Sequence, residues 1–253
     1  MKYPKQKIIN LIYFLSKSFI FILIVPTFLK AGPPFLTDDP QPIDFMHWEF
    51  YISSQSQFSD NNVDATLPHF EINYGLVPDV QVHLIVPIQY TKRESSKEYS
   101  YRNTELGVKY RFINNSDSSF QVGIFPIADV PTGKNITLAG ENKLQVFLPL
   151  WMQINSGKFT SYGGAGYWIN PGTGNKNWVY AGWQGQYDFS ETITLGGELY
   201  YHTAVANDSE GGVGFNLGGY ININEHNHIL FSAGHNLTGT NTTTGYVGYQ
   251  VTI

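Results

Sequence analysis

Strict alternation of apolar and polar side chains constrains this chain more than any other feature. Phe70, Ile72, Tyr74 and Leu76, then Val80, Val82, Leu84, Val86, Ile88 and Tyr90, are all apolar or aromatic. The positions between them include His69, Glu71, Asn73, Gln81, His83 and Gln89, and a Val77-Pro78-Asp79 turn separates the two runs. Side chains on a strand point alternately to opposite faces, so the segment reads as a β-hairpin with one greasy and one polar side. The device recurs over 104–112, where Thr104, Leu106, Val108, Tyr110 and Phe112 oppose Asn103, Glu105, Gly107, Lys109 and Arg111. Over 144–154, Leu144, Val146, Leu148, Leu150, Met152 and Ile154 oppose Gln145, Phe147, Pro149, Trp151 and Gln153. Parity then switches, with Ile193, Leu195, Leu199 and Tyr201 facing away from Thr194, Glu198 and His202. Over 158–170 and 177–189, Gly, Tyr and Trp fall on both faces and leave the assignment open.

Twelve strands are expected, near 47–58, 66–77, 80–91, 101–113, 119–129, 143–155, 158–170, 177–189, 191–204, 211–223, 227–238 and 243–253. Short turns such as 77–79, 114–118 and 155–158 alternate with longer polar connections at 59–65, 92–100, 130–142, 170–176, 204–210 and 239–242. Short turns at one rim, longer loops at the other and an even strand number are the organisation of a bacterial outer-membrane barrel. Composition agrees: 17 Tyr, 17 Phe, 5 Trp and 25 Gly beside only 14% charged residues suit strands and turns, not a helical bundle. With no Cys, disulfide scaffolds, thiol chemistry and Cys-based zinc sites are excluded. The fold class is therefore all-β, an antiparallel up-and-down transmembrane β-barrel of about 12 strands, occupying 47–253 as one domain. Closure has a physical cause, since a sheet in lipid cannot leave an edge of unpaired N–H and C=O groups. Val247, Tyr249, Val251 and Ile253 carry the alternation to the last residue, the kind of end that barrel-assembly machinery reads, though with Ile where Phe is usual. The rival is a soluble barrel or sandwich with the apolar face turned into a core.

The first 31 residues are a separate object. Lys2, Lys5 and Lys7 precede an apolar run, densest from Phe19 to Leu29, and Ala31 stands before Gly32-Pro33-Pro34. This reads as a secretory signal peptide, 1–31, cut after Ala31, followed by a periplasmic N-terminal segment, 32–46. An uncleaved anchor is the alternative, against which stand Lys17 and Pro26 inside the run. Cleavage removes five lysines and no acids, so the net charge of −5 becomes −10, with 10 basic residues against 20 acidic. That balance excludes nucleic acid as an expected partner. The expected location is the outer membrane of a Gram-negative cell, and the expected partners are outer-membrane lipid, a small-molecule solute and the assembly machinery.

Gly32-Pro33-Pro34-Phe35-Leu36-Thr37-Asp38-Asp39-Pro40, followed by His47-Trp48-Glu49-Phe50, resembles the opening of the phenol-degradation meta-pathway family of outer-membrane transporters. Pro68-His69-Phe70-Glu71-Ile72-Asn73-Tyr74-Gly75-Leu76 with Val80-Gln81-Val82 resembles that family's second hairpin. Gly107-Val108-Lys109-Tyr110-Arg111 and Asp129-Val130-Pro131-Thr132-Gly133 extend the likeness. The resemblance spans roughly 32–253, with its specific motifs in the first half. It implies an outer-membrane β-barrel channel or transporter for small solutes, aromatic or hydrophobic ones among them, and carries over no catalytic set.

Glu49, Glu71, His83, Glu105, Lys109, Arg111, Glu198 and His202 sit on the polar face and are the candidate lumen-lining residues. Charges inside a barrel tune which solutes enter; a structural ion-pair network filling a narrow barrel is the equal alternative. Glu105 and Lys109 lie four apart on one strand, too far for direct contact, so any pairing is expected across strands. Thr37-Asp38-Asp39-Pro40 could hold a cation or tuck into the barrel as a plug, but a local turn, with Asp and Thr capping nearby N–H groups, is preferred. Tyr90, Tyr110, Trp48 and Trp178 fall near strand ends, as an aromatic girdle would. His226 and His228 lie in a short turn and read as surface residues, not a metal pair. No Gly-x-Ser-x-Gly anchors a triad, so an enzyme is not expected and no cofactor is implied. An outer-membrane enzyme acting on lipid and a structural barrel with a filled lumen remain the alternatives to a channel.

Overall fold

Period-two side chains become strands throughout the computed structural model, which describes residues 33–60, 62–115, 119–133 and 143–253. The expected signal peptide lies outside the described residues. The strands are β1 (Trp48–Ser59), β2 (Asn62–Val77), β3 (Val80–Arg93), β4 (Ser96–Tyr101), β5 (Thr104–Asn115), β6 (Phe120–Ile124) and β7 (Ile127–Val130). They continue as β8 (Gln145–Ser156), β9 (Phe159–Ile169), β10 (Trp178–Asp188), β11 (Ile193–His202), β12 (Gly212–Asn222), β13 (Asn227–Asn236) and β14 (Thr243–Thr252). Every pairing is antiparallel. β4 and β5 both pair with β3 and make one stave interrupted at Arg102-Asn103. β6 and β7 both join β5 to β8 and make another, interrupted at Phe125-Pro126. β1 pairs with β14 from Glu49↔Thr252 to Phe58↔Thr243, which closes a barrel of twelve staves.

The two faces of the wall sort as the alternation requires. Phe70, Leu106, Leu148, Leu150, Leu199, Leu217 and Val247 are exposed on the outside. Inside, His69, Glu71, Asn73, Gln81, Lys109, Gln153, Gln184, Glu198, Asn216 and Gln250 are buried. A soluble barrel would place these the other way round, because each aliphatic side chain left in water forgoes about 1.5–3 kcal/mol.

Two of the longer connections are tighter than expected. β1 runs to Ser59 and β2 starts at Asn62, while β3 and β4 continue the ladder to Arg93↔Ser96. Tyr90 packs on Tyr99 with ring centroids 4.8 Å apart, and Arg93 donates to both carboxylate oxygens of Asp64 at 2.8 and 3.0 Å. Charged tips thus extend these hairpins as paired strand. In the ambiguous segments, Tyr162 and Gly166 face inward on β9, and Tyr180, Gly182, Gln184 and Gln186 on β10. The glycines account for the ambiguity: a Cβ at Gly164 would meet the Trp151 ring, and one at Gly166 the Phe147 ring. Small residues there leave room for large rings on the neighbouring strand.

Candidate functional site

Residues 33–46 run along the inner face of the wall. At the rim where the ends meet, Trp48 N–H donates to the Ile253 carbonyl at 2.8 Å and Met46 N–H to the Gly75 carbonyl at 2.8 Å. A Cβ on Gly75 would collide with the Asp44 carbonyl, so only glycine lets the segment pass. Ile43 N–H then donates to Gln81 Oε1 at 3.0 Å, and the amides of Gln121 and Gln153 donate to Gln41 Oε1 at 3.3 and 3.4 Å. Lys109 Nζ donates to Asp38 Oδ1 at 2.9 Å and to Asp39 Oδ2 at 3.4 Å. Farther in, one oxygen of Glu198 accepts the Leu36 N–H at 2.8 Å and the other the Thr37 N–H at 2.7 Å, while Asn216 Nδ2 donates to the same carboxylate at 2.6 Å. The Thr37 and Tyr180 hydroxyls share a hydrogen bond of 3.1 Å, and Ser232 Oγ donates to the Pro34 carbonyl at 2.7 Å.

Thr37, Asp39 and Pro40 are fully buried in this arrangement. The turn preferred from the sequence is present as well: Asp39 N–H donates to Asp38 Oδ1 and Gln41 N–H to Asp39 Oδ1. The turn and the inward packing are one structure, because the turn directs both carboxylates at Lys109. Burial pushes the Asp39 carboxyl up to about 7, with Lys109 opposing the shift and Asp38 adding to it. Desolvated charges need partners and hydrogen bonds at once, and this group has both.

The remaining candidates fall into separate groups. Asn73 Nδ2 donates to Glu71 Oε1 at 2.7 Å, His83 Nδ1 lies 2.6 Å from Asn73 Oδ1, and His83 Nε2 lies 3.0 Å from Glu105 Oε1. Both ring nitrogens of His83 therefore face oxygens, in a polar chain crossing β2, β3 and β5. Arg111 clamps Asp79 in the β2–β3 turn at 2.6 and 2.8 Å and Gln121 at 3.0 Å, so it belongs to the rim. Glu49 accepts from the Tyr51 hydroxyl at 2.7 Å, and that hydroxyl accepts from Gln250 at 2.9 Å. His202 lies near the opposite rim, its Nδ1 3.0 Å from the Thr203 carbonyl and its ring edge-on to Trp178. Of the His226 and His228 pair, the first has Nδ1 3.0 Å from the Thr252 carbonyl and the second 2.8 Å from Asn222 Oδ1.

Sequence reasoning missed an aromatic cluster on the inner face. Phe125, Phe147, Trp151, Tyr180 and Tyr200 are buried together, with Ile127, Trp168 and Trp178 against them. Phe147 stacks on Trp168 at 4.8 Å and Trp168 on Trp178 at 5.4 Å, in nearly parallel planes. Trp178 thus turns inward and is not part of an outer girdle. Its place near a strand end suited either role, and only the parity of β10 separates them. A cavity of about 180 Å³ lies between the tip of the segment, Pro33–Leu36, and the inner faces of β1, β2 and β14, with Arg102 and Tyr246 among its lining.

The wall and its enclosed segment define a class, the closed twelve-stave antiparallel β-barrel with an apolar outer face, and solved structures share the fold. The COG4313 outer membrane channel from Pseudomonas putida F1 superposes with a TM-score of 0.66 at 12% identity, over 88% of this chain and 100% of that one. The KdgM porin gives 0.57 at 13% identity, over 79% and 98%, and the NanC porin 0.53 at 5%, over 80% and 98%. These neighbours are an outer membrane channel and two porins. No protein-family model matches the chain, and no curated protein matches its sequence.

Proposed function

We propose that this chain is an outer-membrane channel that passes small solutes along a polar inner face narrowed by its own N-terminal segment. The observation that carries the reading is the inversion of the wall: an apolar outer belt encloses buried polar side chains and a folded-in segment held at Lys109 and Glu198. In this reading the signal peptide, 1–31, is removed, the termini face the periplasm, and the segment enters from that side. The opening motif and the aromatic cluster favour ring-bearing or hydrophobic solutes, as in the phenol-degradation family the sequence resembles. Glu71, His83 and Glu105, a chain of charged and polar groups on one flank of the interior, set ion selectivity.

The test is conductance of the refolded mature chain, 32–253, in planar bilayers under a salt gradient. Deleting 33–43 is expected to enlarge the unit conductance, and Glu105→Lys to move the reversal potential toward anions. Silence from inserted protein, with and without the deletion, would overturn the reading. It would favour the alternative of a filled structural barrel, which the packing of Tyr51, Tyr220, Leu230 and Tyr246 across β1, β12, β13 and β14 supports.

A further inference from the structure

Like charges directly opposite each other on paired strands repel, yet the tip of the β3–β4 hairpin holds such a pair. Lys92 and Lys97 are register partners, both exposed and both with the parity of the outer face. Three of the mature chain's ten basic residues, Lys92, Arg93 and Lys97, stand on this one hairpin of an acidic protein. Arg93 is taken up by Asp64, whose two carboxylate oxygens it binds. Among the described residues no carboxylate lies within ion-pair distance of either lysine. Glu98, the partner of Thr91, has the parity of the inner face, and Glu94 stands in the turn.

Height sets the pair against lipid headgroups. Toward the rim that holds the chain ends, Tyr110 is the register partner of Val80 and tilts against Phe112. Toward the opposite rim, Tyr90 packs on Tyr99, and Tyr99 and Tyr101 are 66% and 67% exposed on the outer face. From Val80 to Tyr90 the strand climbs about 33 Å, at about 3.3 Å per residue. At a tilt of about 40° that is about 25 Å along the barrel axis, the height of an apolar band between two aromatic girdles. Lys92 and Lys97 stand one step farther out on the same face, where hydrocarbon has ended and headgroups begin. At their level one row of register partners crosses the outer wall: Phe58, Val63, Lys92 and Lys97, apolar at one end and doubly cationic at the other. An open hollow of about 480 Å³ lies against it, lined by Phe58, Val63 and Lys92 and bounded in the two hairpin turns by Asp60 and Glu94.

We infer that Lys92 and Lys97 clamp a phosphate of the glycolipid that forms the outer leaflet of the outer membrane, with the Tyr99 and Tyr101 rings against its acyl chains. One bridging phosphate turns the repulsion between two ammonium groups into two charge-assisted hydrogen bonds. Two bare cations would attract any anion; tyrosines beneath them select an anion that carries acyl chains. The inference uses the orientation given above, with the termini in the periplasm, and is independent of what the interior passes.

Retention of lipid A bearing both phosphates is compared with that of dephosphorylated lipid A and of phosphatidylglycerol, on the folded mature chain, 32–253, by mass spectrometry of intact complexes. The parent is expected to hold the phosphorylated form several-fold more tightly than either of the others. Lys92→Gln with Lys97→Gln should abolish that preference, and Lys92→Arg with Lys97→Arg should keep it. Lys158→Gln with Lys176→Gln removes the same charge elsewhere and should leave it intact. Heat-shifted mobility on gels reports whether each is folded. Should the glutamine pair not fold, acetylation of the parent decides: bound lipid A should protect Lys92 and Lys97 several-fold and Lys176 not at all. A preference that survives the glutamine pair, or falls equally in the control pair, would overturn the clamp, as would acetylation of Lys92 and Lys97 unaffected by lipid A. Equal retention of phosphatidylglycerol would overturn the choice of glycolipid. Because the lysines stand outside the wall, ion conductance should be the same in the parent and the glutamine pair; a changed conductance would put them on the conducting path and overturn their assignment to lipid.

Discussion

Lys109 shows how one side chain can hold an element in place. It is buried on the inner face of β5, donates to Asp38 and Asp39, and sits 5.0 Å from the centre of the Phe125 ring. Lys109→Met removes the charge and keeps the volume, which leaves two carboxylates facing each other without their cation. Breaking a buried pair in this way costs about 3–5 kcal/mol. The unfolding midpoint of the variant should fall accordingly, and a single Cys at Leu36, at the exposed tip of the segment, should label faster than in the parent; unchanged labelling would show that Lys109 does not hold the segment. On the other face, Leu217 is 62% exposed at the centre of β12. Leu217→Arg should cost about 2–4 kcal/mol in lipid vesicles, and a stability equal to the parent's would refute the assignment of that face to hydrocarbon. Alternation alone placed these residues on their faces, because parity decides inside from outside. It could not say that Glu105 meets His83 while Lys109 meets residues 70 positions away, since nothing local encodes such partners.

Elements were legible to the extent that their two faces differed in chemistry. Twelve staves and most of their spans follow from the pattern, and the errors have physical causes. The β3–β4 tip looks like a loop because Lys92, Arg93, Glu94, Lys97 and Glu98 hide the alternation, yet Tyr90, Tyr99 and the ladder carry it on. β9 and β10 look two-faced because rings and glycines share their inner sides with polar groups such as Thr160, Gln184 and Gln186. The course of the segment is marked by Gly75, Gly123 and Gly182, glycines within strands that admit the close approach of something else. A Cβ at Gly182 would occupy the place of the Thr37 hydroxyl. Gly182→Val should therefore push the segment off β10. Accelerated labelling of Leu36→Cys in that background is the expected result, and protection equal to the parent's would mean that the segment is held without this contact.

At the scale of the molecule, closure through β1 and β14 is the condition on everything else. Removing 243–253 would leave β13 and β1 with open edges, each presenting unpaired backbone groups to lipid. The truncated chain should fail to give the compact, heat-sensitive gel band of a folded barrel; such a band would show that the wall can close between β13 and β1. Closure follows from the alternation once the apolar face is given to lipid, whereas the course of the N-terminal segment inside the wall depends on partners as far as 198 positions away.

The segment's anchors also order events in time. Its partners are drawn from β2, β3, β5, β6, β8, β10, β11 and β13, and Ser232 reaches Pro34 across 198 positions of sequence. Contacts of such separation form late, because the chain between them must be ordered before they can be rewarded. The segment, synthesised before every strand of the wall, is thus expected to reach its native place only once those strands have paired, so the order of docking reverses the order of synthesis.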